Sequence, residues 1–241
     1  MHDFGSITRD ELAELGDSLR VQASAAESME AAAGNMVRHL YDNLGDEKTG
    51  ETSCALVRFY KTHPFGELDA GLQGFARGVL GDKPASADVS CLTLLATVGD
   101  QPAWNSRAQS NGHKAIPLAS EEAMAQIPMV AQLVRQFGLK ASYVVKPAPG
   151  AAADLEQRMY NAFYIPEASG SPYIPAQDEF VIPFGIQSVL GFGGVLRAGE
   201  LFAIIMFSKT SIPQQAADLF RDLGPSVKAA VEPFVGGAVF A

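Results

Sequence analysis

Trp104-Asn105-Ser106-Arg107 and the following Ser110-Asn111-Gly112-His113-Lys114 gather an aromatic ring, a guanidinium, small polar side chains and an imidazole ahead of a helix signal. Residues of these types converging on one hollow hold a small molecule, the ring supplying apolar contact and the few polar groups setting orientation. The plainer alternative is a surface loop whose histidine is satisfied by hydrogen bonds. A second stretch runs from Tyr164-Ile165-Pro166-Glu167 through Ser171-Pro172-Tyr173-Ile174-Pro175 to Phe180 and Phe184. It reads either as another wall of the same hollow or as core packing under a rigid loop. The candidate ligand-binding residues are therefore Trp104, Arg107, His113, Tyr164, Tyr173, Phe180 and Phe184.

Other chemistries lack their residues. No Gly-x-x-x-x-Gly-Lys-Ser/Thr occurs, and Gly191-Phe192-Gly193-Gly194 lies between strand signals with no helix following at once. A phosphate cradle needs helix N-terminal amides, so this run reads as a bulge or bend in a strand. His2, His39, His63 and His113 are scattered, no two of them three or four apart, and the two cysteines, Cys54 and Cys91, are not closely spaced. That spacing does not build a zinc site. There is no Gly-x-Ser-x-Gly nucleophile turn. No catalytic residue is assigned, and the chain is expected not to be an enzyme. The cysteines are expected as reduced thiols in the core. They form a redox pair only if their strands are adjacent and in register.

The elements that must position these residues follow from pattern. The chain has 241 residues, 47% hydrophobic and 19% charged, with a net charge of -9. An acidic surface repels phosphate backbones and anionic lipid, so neither nucleic acid nor membrane is an expected partner. No window has the 18 or so consecutive apolar residues of a membrane span. Met1 to Ser6 lacks a basic stretch leading into an apolar one, so a cytoplasmic location is expected. Residues 1–50 form a helical segment in which Leu12, Leu15, Leu19, Gln22, Ala26, Met29, Ala33, Met36, Leu40 and Leu44 follow the three-four spacing of a bundle or coiled-coil seam. Thr8 and Glu11 make a capping box, and Gly16 and Gly34 weaken the run enough to divide it. The seam needs a partner surface, either its own domain or a second subunit.

Cys54–Lys61 and Ser90–Val98 read as strands, the second apolar enough to be covered on both faces. In the first, Val57 and Phe59 point one way and Leu56, Arg58 and Tyr60 the other. A helix is predicted over residues 68–80. Residues 99–118 read as polar and irregular. Ser120 caps a helix that Pro128 interrupts and Gly138 closes. Strands are predicted at residues 141–146 and 160–165, with a Pro/Gly/Ala-rich loop at 147–154 between them. A helical turn is predicted at 177–183, a strand at 186–190, and a hairpin of 195–197 with 201–207. Pro213 opens a last helix, interrupted at Gly224-Pro225.

The segment Phe184-Gly185-Ile186-Gln187-Ser188-Val189-Leu190, then Gly194-Val195-Leu196, then Gly199-Glu200-Leu201 through Phe207-Ser208, with the closing helix from Pro213, resembles the C-terminal half of the GAF family. The chain also resembles input regions of bacterial sensor histidine kinases. The resemblance implies an α+β, GAF/PAS-like fold: about six antiparallel strands flanked by helices, with long helices at both ends. It places a GAF-like ligand-binding domain at 51–241, departing from the family pattern in an inserted helical region at 99–154 that acts as a lid or an interface. It further implies a small-molecule pocket over the sheet, a homodimer through the terminal helices, and output through a signalling partner protein. Some family members hold haem on one histidine, which makes His113 the first haem candidate and His63 the second. Reductases on this scaffold use cysteines, which would give Cys54 and Cys91 a role.

Overall fold

The computed structural model describes residues 1–46, 49–82, 84–110, 112–147 and 160–241. Helices α1 (Arg9–Ala23) and α2 (Met29–Asn43) begin the chain. The capping box is present: Thr8 accepts from the Glu11 amide, and the Glu11 carboxylate accepts from the Thr8 amide at 2.7 Å. The break between the two helices falls at residues 24–28, where Ser28 caps α2, and Gly16 and Gly34 stay inside helices.

Strands β1 (Cys54–Pro64) and β2 (Ser90–Gly99) flank α3 (Ala70–Leu80). Next come β3 (Ala115–Pro117), α4 (Glu121–Ala125), α5 (Pro128–Gln136) and α6 (Ala141–Val145). Then follow β4 (Asn161–Ile165), β5 (Ser188–Val195), β6 (Leu201–Ser208), α7 (Gln214–Leu219) and α8 (Gly224–Val231). The six strands make one sheet in the order β3-β2-β1-β6-β5-β4, every neighbouring pair antiparallel. This is the expected α+β architecture.

Each face of the sheet carries its own apolar core. Val57 and Phe59 of β1, Phe192 of β5 and Phe202, Ile204 and Met206 of β6 pack under α1, α2, α7 and α8. The seam residues Leu12, Leu15, Leu19, Met29, Ala33, Met36, Leu40 and Leu44 are buried in that same core, whereas Gln22 is exposed, Ala23 taking its place, and Ala26, between the helices, is half-buried. On the opposite face, Leu56, Tyr60, Ala203, Ile205 and Phe207 meet α4, α5, α6 and residues 165–186. One extra residue on β2, Leu95, shifts the register between Phe59 and Tyr60. The bulge places the consecutive residues Leu95 and Ala96 both in the helix-face core, while Leu94 stays on the opposite face.

Three expectations are corrected. Residues 141–145 form α6, not a strand: so short an apolar run has no period of its own, and Val144 is drawn into the α4–α5 cluster. The glycine run does not bend β5, which pairs with β6 in unbroken register from Ser188↔Ser208 to Val195↔Leu201. Glycine is needed there for close approach, since a Cβ on Gly193 would lie 2.1 Å from the Phe202 carbonyl oxygen. The irregular stretch 99–118 contains an edge strand, β3, too short to show alternation. The predicted loop at 147–154 falls, apart from Pro147, outside the described residues, as does Asn111.

Candidate functional site

Between the sheet and the α4–α5 layer lies a cavity of about 340 Å³. Its floor is the face of β1 and β6 that carries Leu56, Arg58, Tyr60, Ala203, Ile205 and Phe207. The turn from Gln126 into α5 forms the roof, and Trp104, Phe180 and residues 173–176 form the walls. The roof layer is made of two short helices, α4 and α5, the second starting at Pro128.

The Trp104 wall is fixed at one corner. Asn105 donates to the carbonyl oxygens of Gly99 (2.9 Å) and Gln101 (3.0 Å), and its own oxygen accepts from Arg38 of α2 at 2.8 Å. Asp100, beside them, accepts from Tyr41 of α2 at 2.5 Å and from Lys209 at 3.2 Å. Gly99 must be small, because a Cβ there would sit 2.9 Å from the Trp104 ring and 2.6 Å from the Ala55 carbonyl oxygen. The indole meets Phe184 and Phe180 edge to face at 4.5 and 5.6 Å between centroids, and Phe180 meets Phe207 likewise at 4.9 Å. Such geometry stabilises a rigid aromatic wall beyond the area it buries.

Arg58 is the charged group of the cavity. It donates to the Tyr60 hydroxyl at 3.1 Å and to Ser110 Oγ at 3.2 Å; Ser110 in turn donates to the Gly112 carbonyl oxygen at 3.2 Å. Its buried Nε has no partner among the described residues. None of the described lining residues is an aspartate or glutamate. His113 lines the cavity while remaining exposed, which puts it at the mouth, and its backbone is left-handed at φ 59°. Crowding of the ring, and then the charge of Arg58, push its pKa below the ordinary histidine value. The imidazole is therefore neutral at pH 7.

The structure brings Trp104, His113, Tyr173 and Phe180 together on this cavity, with Phe184 packed behind Trp104. Arg107 and Tyr164 are elsewhere. Arg107 points to the helical layer, donating to both carboxylate oxygens of Glu30 (2.9 and 2.8 Å) and to Asp69 (3.3 Å), with the Phe240 ring 5.4 Å away. Tyr164 packs on the helix face of β4 and donates to the Ile212 carbonyl oxygen, while Phe163 and Ile165 take the cavity side.

His63 sits beyond the far end of β1's cavity face, in a second polar cluster. There Lys61, 1% exposed, donates to Glu200 (2.6 Å), His63 Nδ1 (2.9 Å) and the Thr62 carbonyl oxygen (3.1 Å). Burial pushes the Lys61 pKa down, against the pull of Glu200. Burial alone would raise Glu200, but His63 and Lys61 outweigh it and hold the carboxyl below its ordinary value. An open cleft of about 790 Å³ borders this cluster, lined by His63, Glu67, Asp88, Glu200 and residues 235–240.

The cysteines are not a pair. β1 and β2 are adjacent, but Cys91 lies opposite His63, nine positions along β1 from Cys54 and so roughly 30 Å away. Both are buried, and burial raises both thiols, Cys91 to about 11. The Arg58 cavity, which His113 borders, is smaller than a porphyrin, and His63 lies on the separate cleft with Nδ1 facing the Lys61 ammonium. Sequence reasoning passed over Arg58 as a site residue. Its signal was present: a charge set between Val57 and Phe59, on the same face as Leu56 and Tyr60.

Among the described residues no helix is long and apolar enough to cross a membrane. No family model matches the chain, and no curated protein matches it either. Solved structures similar to it include a free methionine-R-sulfoxide reductase from Neisseria meningitidis in complex with its substrate. That match has 12% identity and a TM-score of 0.48, covering 98% of this chain and 97% of the other. The chromophore-binding domain of an unusual bacteriophytochrome from R. palustris matches at 9% identity and TM-score 0.46, covering 96% of this chain and 64% of the other. The phycoerythrobilin-bound GAF domain of a cyanobacterial phytochrome matches at 10% and 0.41, covering 95% and 97%.

Proposed function

We propose that this chain is a small-molecule-binding sensor or regulatory domain whose ligand occupies the cavity between the β1–β6 floor and the α4–α5 roof. One observation carries the reading: an aromatic-walled hollow of about 340 Å³, with a few convergent polar groups, lies where tight packing would otherwise be expected. The opposite face of the same strands is filled by side chains. Output runs through the helical layer. Most of the seam of residues 1–50 is already buried. A homodimer contact or a signalling partner would therefore meet the outer faces of α1 and α2, where Val21 is exposed.

The test fills the hollow. Ala203, buried on β6 and facing the cavity, is changed to phenylalanine, and binding of an apolar fluorescent dye is followed by titration. The wild type is expected to bind with a change in Trp104 emission, and the variant to keep its circular dichroism spectrum and bind at least about tenfold more weakly. Equal binding by both proteins would remove the cavity from the account. Native mass spectrometry of the same preparation reads the oligomeric state, and a monomer at micromolar concentration would remove the dimer.

A further inference from the structure

Arg58 is a guanidinium placed among apolar side chains, and its partners among the described residues are neutral. Its two described hydrogen bonds go to hydroxyls, of Tyr60 and Ser110, and Nε has no partner among the described residues. Taking a cation out of water without a counter-charge is costly. Elsewhere this fold meets that cost with carboxylates, Glu200 for Lys61 and Glu30 with Asp69 for Arg107. None of the described residues lining the cavity supplies one.

The roof adds charge of the same sign. The first turn of α5, Pro128 to Val130, lines the cavity, and no side chain caps that helix start. Free amides at a helix N-terminus favour a negative group. His113 at the mouth is neutral and can accept or donate, as can Gln126 on the roof. Most of the remaining lining is apolar, Trp104, Phe180, Ile205 and Phe207 among it, with Tyr173 as a further hydroxyl-bearing ring.

Resting on the ligand-binding reading above, we infer that the occupant is a small organic carboxylate: one anionic end on Arg58, and one compact apolar body against Trp104 and Phe180. The cavity is at the lower end of the roughly 300–1,000 Å³ that ligand pockets span, so the body is of the order of a single aromatic ring or a short alkyl chain.

The test uses matched sets that share a body and differ at one end: the carboxylate, its primary amide and the corresponding amine, each with phenyl, indolyl and hexyl bodies. Calorimetry and Trp104 fluorescence are read at pH 7.5 on the wild type, Arg58→Met and Arg58→Lys. The expected result is that at least one acid binds the wild type about tenfold or more tightly than its amide, as a charge-assisted hydrogen bond allows. The amine should bind more weakly still. Arg58→Met should bind acid and amide alike, and Arg58→Lys should recover part of the preference. Amides or amines binding the wild type as well as the acids would overturn the ligand class while leaving the cavity reading in place. No member of any set binding would overturn the cavity reading and this inference with it. Arg58→Met retaining the acid preference would overturn the role of Arg58. The acid–amide comparison in the wild type needs no variant, so it decides the ligand class even if Arg58→Met fails to fold.

Discussion

The two sides of β1 treat burial differently. Toward the helical layer the strand presents Val57, Phe59 and Lys61; Phe59 stacks on Phe202 at 6.2 Å and Lys61 is fully engaged by Glu200, His63 and Thr62. Toward the cap it presents Leu56, Arg58 and Tyr60, beside open space, with a cation whose donors are only partly used. A side chain that only holds the fold together can be completed by the fold. One that waits for something external has to be left short. Three residues apart on one strand, Lys61 is the first kind and Arg58 the second.

That contrast can be broken or sharpened by substitution. The largest loss should come from Phe59→Ala, which opens a void in the solid face and should cost about 4 kcal/mol in urea unfolding. A loss below about 1 kcal/mol would mean that this side is not tightly packed. Glu200→Gln should cost about 3 kcal/mol, because it strands a buried ammonium.

The same pair sets a pH dependence. The Glu200 carboxyl lies below its ordinary value of 4.5 in the folded state. Its stabilisation is therefore complete above about pH 4.5 and is lost as the pH falls through the lower folded value. The glutamine variant should lack that part of the acid limb, and an unchanged acid limb would place the dependence in other carboxylates. The smallest effect belongs to Arg58→Met. Two hydrogen bonds to neutral hydroxyls are given up, while a buried cation with an unmet donor is removed, so the two effects offset and stability should change by less than about 1 kcal/mol in either direction. A loss as large as that of Glu200→Gln would make Arg58 a structural residue and erase the distinction between the two sides.

What was legible in the sequence is what local chemistry decides. The Thr8–Glu11 box, the Ser120 cap, the interruptions at Pro128 and Gly224-Pro225, and the alternation of β1 each depend on residues a few positions apart, and each is present. The cavity's aromatic members were legible for a similar reason, since Trp104 and the Tyr173–Phe184 stretch stand out by composition. Long-range partners were not. Arg107 and Trp104 are three residues apart, yet Glu30, 77 positions earlier in the chain, draws one to the helical layer while the other stays with the cavity. Tyr164 went to the helix face because β4's register was fixed by β5. Gly191 and Gly193 read as a bend because the sequence does not reveal that the β6 backbone passes within contact distance.

Asn105 has a consequence of its own. It is the neighbour of Trp104 in the chain and the hydrogen-bond acceptor of Arg38, so a side chain that walls the hollow on one side of the sheet is bracketed to a helix on the other. A displacement of the indole therefore does not need to pass through the strands to be felt across them. It goes round the edge, by way of one amide, to the second helix.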